Sequence, residues 1–363
     1  MITDFPSYFE IFKCIGGSCK DSCCIGWELD IDDETFYRYR VVEGDFGARL
    51  NKHLVDEGKD KYFRLCEDKR CPMLNQQNLC DIILNLGEDA LCTVCTEYPR
   101  YFIDAEDYTQ MDLSLSCLEV GRLFFSGANT FSYKRKIQEN STLFIADGNG
   151  KEDALSNLSP ELSRIIIRRD NDIALIQNRR KPLYVRVEEL GFLPRFQSVY
   201  FGTQRETLSQ IRDEVFSLCD KMEILEKRFP TYLMELRLLS DGDFYDLVSD
   251  FLATHNSMCA GYFEKLASYL IFRYTIDEYF DKKREAIESF IDRSLCLIFF
   301  LSMMHWRKYA FFIEDIIDIA HLYSKQVEHD EENVSILSDV PVNNVFISDL
   351  LFHRQYCSHC SQK

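Results

Sequence analysis

Through the C-terminal two thirds of the chain, apolar residues return at helical spacing. Leu208, Ile211, Val215, Leu218 and Leu225 fall on one face of a helix predicted over Gln204–Arg228, ending before Pro230. A second helix is predicted over Asp243–Thr254, after Asp241-Gly242. Tyr262–Phe280 keeps the period only in part, through Phe263, Leu266, Leu270, Tyr274 and Ile276. Lys283–Trp306 and Tyr309–Val327 read as two long helices with buried faces. The most apolar run, LCLIFFLSMM from Leu295 to Met304, is about half the length of a membrane span, so it reads as a buried helix.

The first third lacks such a pattern. Gly16-Gly17, Gly26, Gly44, Gly47, Gly58, Pro72 and Pro99 cut it into short segments. Asp33–Arg40 is predicted as a short helix capped by Asp32 or Asp33, and Asp81–Leu86 as another. Residues 126–160, with Gly127, Gly148, Gly150 and Pro160, read as a connector holding one strand-like or helical piece around Phe131–Ile137. The run EHDEEN at 328–333 reads as a solvated loop. The expected fold is mainly α: an irregular, cysteine-rich metal-binding module over 1–125, the connector, and a helical domain over 161–363. There is no glycine-rich dinucleotide fingerprint, no phosphate loop and no repeat at a fixed spacing.

Charge narrows the partners. The net charge is −18, with 13 Lys/Arg against 24 Asp/Glu in residues 1–125 and 12 against 21 in residues 231–363. Such a chain is poorly suited to a phosphate backbone, so no nucleic-acid partner is expected. A partner that presents lysines would be steered towards it. The start, MITDFP, has no basic segment followed by an apolar one, so a cytoplasmic protein without membrane attachment is expected.

Cysteine changes the picture most. Ten of the 15 cysteines lie between Cys14 and Cys117, and in a reducing compartment that density points to metal rather than disulfides. The clusters are Cys14, Cys19, Cys23 and Cys24; then Cys71 and Cys80; then Cys92 and Cys95; and finally Cys117. Thiolates are soft ligands that select zinc or an iron–sulfur cluster. The two-residue interval between Cys92 and Cys95 lets one tight turn aim both at one metal. Nine thiols exceed the four that one zinc or one four-iron cluster needs, so either two sites exist or some thiols are spectators. A bound metal would supply folding energy that the segment's sparse apolar pattern lacks, on the order of 10 kcal/mol for zinc. The closing Cys357-Ser-His359-Cys360 is a second small metal site, a return to the first, or a spectator. The spacing Cys-x3-Cys-x2-Cys of radical S-adenosylmethionine chemistry is absent, since Cys23 is followed directly by Cys24.

Four stretches, CIGGSCKDSCCIGWELDID (14–32), RCPMLNQQNLCDI (70–82), LGEDALCTVCTEYPR (86–100) and LSLSCLEVGRL (113–123), resemble the flagellin lysine N-methylases. More widely, they resemble proteins with an eight-cysteine domain that chelates zinc or iron. The departures are the Cys14-x4-Cys19-x3-Cys23-Cys24 interval, where that domain has CxxCxxCC, and Leu118 where relatives commonly have proline. The resemblance implies methyl transfer from S-adenosylmethionine to lysines of flagellin, or of another lysine-bearing protein. It also implies an iron–sulfur cluster (4Fe-4S), ahead of zinc, on these cysteines. It nominates Trp27, Tyr98 and Arg100, which stand inside the matching motifs, for contact with the methyl donor. Read alone, Trp27 after Gly26 is a packing lid over the metal site, and Tyr98-Pro99-Arg100 is a turn or a cofactor-facing surface.

Methyl transfer needs a neutral amine. At pH 7 only about one lysine amine in a few thousand is neutral, a scarcity that adds about 4.6 kcal/mol to the barrier. A desolvated aromatic channel lowers the amine pKa, and a carboxylate or tyrosine accepts the proton. Glu97 is one such carboxylate, though it reads as solvated, and the sequence singles out no base. His53, His255, His305, His321 and His353 are isolated and read as ordinary core or surface residues. The competing expectation is a non-catalytic protein whose metal is structural or redox-sensing and whose helical domain grips a partner.

Overall fold

Among the residues that the computed structural model describes, the apolar and polar pattern resolves into thirteen α-helices and seven strands. Those residues are 1–27, 29–139, 142–147, 152–181, 183–190, 204–280 and 282–339. In chain order these are β1 (Ile2–Pro6), α1 (Asp33–Arg40), α2 (Gly44–His53), β2 (Leu54–Asp56), β3 (Lys61–Phe63), α3 (Asp81–Leu86) and α4 (Thr93–Glu97). Then come β4 (Arg100–Ala105), β5 (Tyr108–Leu113), α5 (Leu118–Ser126), β6 (Tyr133–Glu139), β7 (Thr142–Asp147), α6 (Pro160–Ile176) and α7 (Leu183–Leu190). The rest are α8 (Gln204–Cys219), α9 (Arg228–Arg237), α10 (Asp241–Tyr274), α11 (Arg284–Trp306), α12 (Ile313–Val327) and α13 (Glu331–Ser338).

Two units divide the chain. One takes Ile11–Tyr101 with Cys117–Val120, and the other takes Met1–Glu10, Phe102–Ser116 and everything from Gly121 on. A division at residue 125 therefore does not describe the contacts, because β1 and β5 belong with the helices.

The first unit has a core of its own. Ile31, Phe36, Tyr39, Leu50, Met73 and Ile82 are buried together, and Cys71, Cys80, Cys92 and Cys95 pack against or within that cluster. The expectation that this segment lacks apolar substance is corrected: its core is gathered from separate short segments, so no periodicity announces it. Asp32 caps α1, accepting from the Thr35 N–H at 2.9 Å.

The second unit is built on a five-stranded sheet in the order β4-β5-β1-β6-β7. Strand β1 runs parallel to β5 (Ile2 opposite Tyr108) and antiparallel to β6 (Ile2 opposite Ile137), and β6 is antiparallel to β7. Residues 126–160, expected as a connector, thus supply two strands. The reading missed the sheet because several positions that should be apolar are polar: Asp4, Gln110, Asp112 and Arg135 are all buried. Asp4 and Arg135 are satisfied by each other and by α6, Gln110 accepts from Arg169 and donates to the Arg273 carbonyl of α10, and Asp112 lies 3.5 Å from the Arg273 guanidinium. Arg135 grips Asp4 through two bonds of 2.8 and 2.7 Å and reaches Asp170 at 2.9 Å. Arg169 donates to Asp4 at 2.5 Å, to Asp170 at 2.8 Å and to the Tyr108 hydroxyl at 2.6 Å. Burial alone would raise the Asp4 carboxyl, but Arg169 and Arg135 hold it below the usual carboxylate range.

The helices follow expectation closely in α11, which is buried all round from Phe290 to Met304. Elsewhere they differ. The helix expected over 204–228 stops at Cys219, because the amide oxygen of Gln326 accepts from the Leu225 and Glu226 N–H groups (3.0 Å each) and holds that segment as a turn. Pro230 stands in the first turn of α9, where its missing N–H costs nothing. The two helices expected over 243–254 and 262–280 are joined in α10, with a break at His255 (φ −120°, ψ 15°). The supposed loop at 328–333 is only partly solvated: Glu328 and Asn333 are buried while Glu331 and Glu332 are exposed, and α13 begins inside it. No helix among the described residues is long and apolar enough to cross a membrane.

Candidate metal centre

All ten cysteines from Cys14 to Cys117 fall within the first unit, because the chain returns to it for Cys117–Val120 after contributing 102–116 to the sheet. Every cysteine among the described residues is a free thiol. The loops that carry them are tied by backbone bonds. The Cys71 N–H donates to the Cys24 carbonyl at 2.8 Å, and the Gly26 N–H donates to the Lys69 carbonyl at 2.8 Å. Gly17 approaches the next loop so closely that a Cβ there would lie 2.7 Å from the Gln77 carbonyl oxygen. Arg49 binds Asp81 at 2.6 Å and also donates to the Pro72 carbonyl, fixing the segment between Cys71 and Cys80. Asp32 accepts from both the N–H (3.0 Å) and the hydroxyl (3.1 Å) of Thr93 with the oxygen that α1 leaves free, so one carboxylate positions α1 and the Cys92 turn together.

The thiols sort into two sets by mutual electrostatic influence. Cys14, Cys19, Cys23 and Cys117 form one, and Cys24, Cys71, Cys80, Cys92 and Cys95 the other, with the exposed Cys66 acting on Cys71. Two pairs share a proton. The Cys23 thiol donates to Cys24, drawing Cys24 down to about 7 and raising Cys23. The Cys95 thiol does the same for Cys92, which falls to about 7 while Cys95 rises. Burial pushes Cys71 up to about 12 and Cys117 to about 11, and raises Cys19 and Cys80. Thus Cys23 and Cys24, although hydrogen-bonded, look towards different sets. As they stand, no three Cys, His, Asp or Glu side chains among the described residues converge as a metal shell would. The donor chemistry suits a soft metal, while the geometry supplies pairs.

The other nominated residues are spread over the unit. Trp27 is half-buried beside the Ile25–Arg70 bridge, Tyr98 ends α4, and Arg100 opens β4 with its guanidinium 5.3 Å from the Phe12 ring centre. Glu97 is exposed. Cys357, His359, Cys360 and His353 lie outside the described residues.

The sequence reading missed chemistry in the second unit. Arg273 lies between Asp112 (3.5 Å) and Glu328 (3.3 Å), and Glu328 accepts from the Tyr274 hydroxyl at 2.8 Å. Burial lifts Asp112 to about 7 against the pull of Arg273. His329 is hydrogen-bonded to the Ser116 hydroxyl at 2.7 Å, and burial lowers it to about 4. A second site sits on α10, where Glu264-Lys265 interrupts an apolar run; that interruption was the available signal.

Comparison with known proteins covers about a third of the chain. Over 123 residues the chain is 30% identical to proteins named Lysine-N-methylase from Salmonella typhimurium and Salmonella choleraesuis, a match covering 32% of this chain and 30% of each relative. It is equally identical, over 123 residues, to the flagellar biosynthetic protein FliU of Salmonella muenchen, a match covering 32% of this chain and 72% of that protein. The match therefore spans less than a third of the length of the two Lysine-N-methylases. No family model and no solved structure matches the chain.

Proposed function

Because the chain belongs to the flagellin lysine N-methylase family, we propose that it transfers a methyl group from S-adenosylmethionine to lysine ε-amines of flagellin. The likeness to FliU, which reaches across 72% of that protein, carries this reading. The acidity of the chain fits it, since a net charge of −18 draws a lysine-bearing partner. The transfer is an in-line displacement at the sulfonium methyl, and the amine must lose its proton first. A desolvated, aromatic surface favours that loss, and aromatic faces attract both the sulfonium and the methylated product.

The same proposal gives the thiols of the first unit a soft metal, an iron–sulfur cluster ahead of zinc. Cys24, Cys71, Cys80, Cys92 and Cys95 make the larger set, and Cys14, Cys19, Cys23 and Cys117 the other. The metal would bind these loops together. The two proton-sharing pairs also favour a second reading, a redox-sensing or metal-binding interaction module without catalysis. Calorimetry with S-adenosylmethionine, followed by mass spectrometry of flagellin for methyl-lysine, decides between them. Binding and modification support the methylase; a metal-loaded protein that binds no S-adenosylmethionine supports the second reading.

A further inference from the structure

The second unit holds a cavity of about 430 Å³ whose wall mixes aromatic rings with more positive than negative charge. Glu264 and Lys265 of α10 are both buried. Glu264 accepts from Arg179 through Nε (3.1 Å to each oxygen) and Nη2 (2.9 Å), and from Arg186 Nη1 at 2.6 Å. Lys265 donates to the Phe124 and Phe125 carbonyls at 2.9 and 3.2 Å, at the end of α5. Two buried cations, Arg186 and Lys265, and the half-exposed Arg179 therefore face one buried carboxylate. Arg186, on α7 and only 4% exposed, keeps a buried Nε with no hydrogen-bond partner. A buried donor without an acceptor is costly, and surplus buried positive charge is costlier still, so this end of the cavity calls for an anion.

The other end is of a different kind. Phe125 and Tyr262 meet edge to face at 5.5 Å, and Met258 lies beside them. Rings of this sort accept a flat heterocycle or a sulfonium. The volume lies within the range of small-molecule sites and suits a nucleoside with a short tail. Inorganic phosphate would leave the rings unused, and a nucleoside triphosphate would bring more negative charge than two surplus cations offset.

We infer that this cavity receives the methyl donor, with the carboxylate of its amino-acid tail at the Arg186 end and its nucleoside or sulfonium against Phe125 and Tyr262. This rests on the methylase reading and gives it a location that the cysteine motifs do not contain. Gly261 provides a clean test. It lies inside α10 on the cavity wall, and a Cβ there meets nothing within 4 Å. Gly261→Leu should therefore fold at least as well as the parent, since leucine favours helix, while its side chain fills the cavity.

Calorimetry on the full chain would compare S-adenosylhomocysteine, 5′-methylthioadenosine (the same nucleoside thioether without the amino-acid tail) and inorganic phosphate. We expect S-adenosylhomocysteine to bind, 5′-methylthioadenosine to bind at least tenfold more weakly, and phosphate not to compete. Gly261→Leu should keep the parent melting temperature and lose at least tenfold in S-adenosylhomocysteine affinity, and Tyr262→Leu should weaken it as well. Parent-like affinity in Gly261→Leu would place the donor elsewhere while leaving the methylase reading intact. Equal affinity for 5′-methylthioadenosine would overturn the carboxylate assignment. No binding of S-adenosylhomocysteine by the parent would remove the methylase reading itself.

Discussion

Replacing Asp4 by asparagine removes the negative charge at the centre of the second unit's sheet and changes little else in shape. Asp4 is fully buried and accepts from Arg135 Nε (2.8 Å), Arg135 Nη2 (2.7 Å), Arg169 Nη2 (2.5 Å) and the Tyr108 hydroxyl (3.1 Å). Without that charge, two buried guanidiniums share Asp170 alone. Leaving a buried charge uncompensated costs about 3–5 kcal/mol. For a unit of this size that lowers the melting temperature by roughly 6–20 °C. The chain has two tryptophans, one in each unit, so Trp306 fluorescence in a Trp27→Phe background reports the second unit alone. Adding Arg135→Met to Asp4→Asn should cost less than the sum of the two single changes, because it removes one stranded cation. Acid provides a second reading of the same group. Its folded carboxyl is held below its unfolded value, so its contribution is complete above about pH 4 and disappears as pH falls through the folded value. Asp4→Asn should lose that part of the acid sensitivity. A melting temperature lowered by less than about 2 °C, with single and double changes additive, would refute the idea that this network holds the sheet.

Other outcomes follow from the same geometry. His329, pushed down to about 4 by burial, binds its proton in the unfolded chain from about pH 6.5 but in the native one only near pH 4. Native stability should therefore fall by about 3 kcal/mol between those values, and His329→Gln should remove that slope in urea titrations at stepped pH. Asp32→Ala should destabilise the first unit by about 0.5–2 kcal/mol, read as faster proteolysis near residue 93, since the carboxylate caps α1 and holds Thr93. Cys92→Ser and Cys95→Ser should each lower metal content and the first unit's melting temperature; full metal content in both would show that neither is a ligand.

What was legible in the sequence follows from where the physics is local. The Asp32 cap and the span of α1, the span of α3, and the buried run of α11 depend on neighbours within a few residues, and each was readable from the sequence. The sheet was not. Its strands come from 2–6 and from 100–147, and Asp4, Gln110 and Arg135 occupy inward positions where the pattern of a half-buried strand would put apolar residues. The first unit's core was hidden for a related reason, since Ile31, Leu50, Met73 and Ile82 belong to no single periodic segment. In the candidate metal centre, the cysteines were evident and their common unit follows from the fold, but the sorting into two sets depends on which loops touch. Cys117 joins Cys14, Cys19 and Cys23 only because the chain returns after two strands. Glu264 and Arg186 are 78 residues apart in sequence, so nothing local marks their pairing.

The claim on which the metal assignment and the role of the first unit both rest is that its thiols gather around a soft metal. Iron, zinc and acid-labile sulfide measured in chain purified without exposure to air test it most directly. The account predicts about four irons and four sulfides per chain, with broad brown absorption. A protein with neither iron nor zinc, whose first unit resists protease as well as a metal-reconstituted sample, would contradict it.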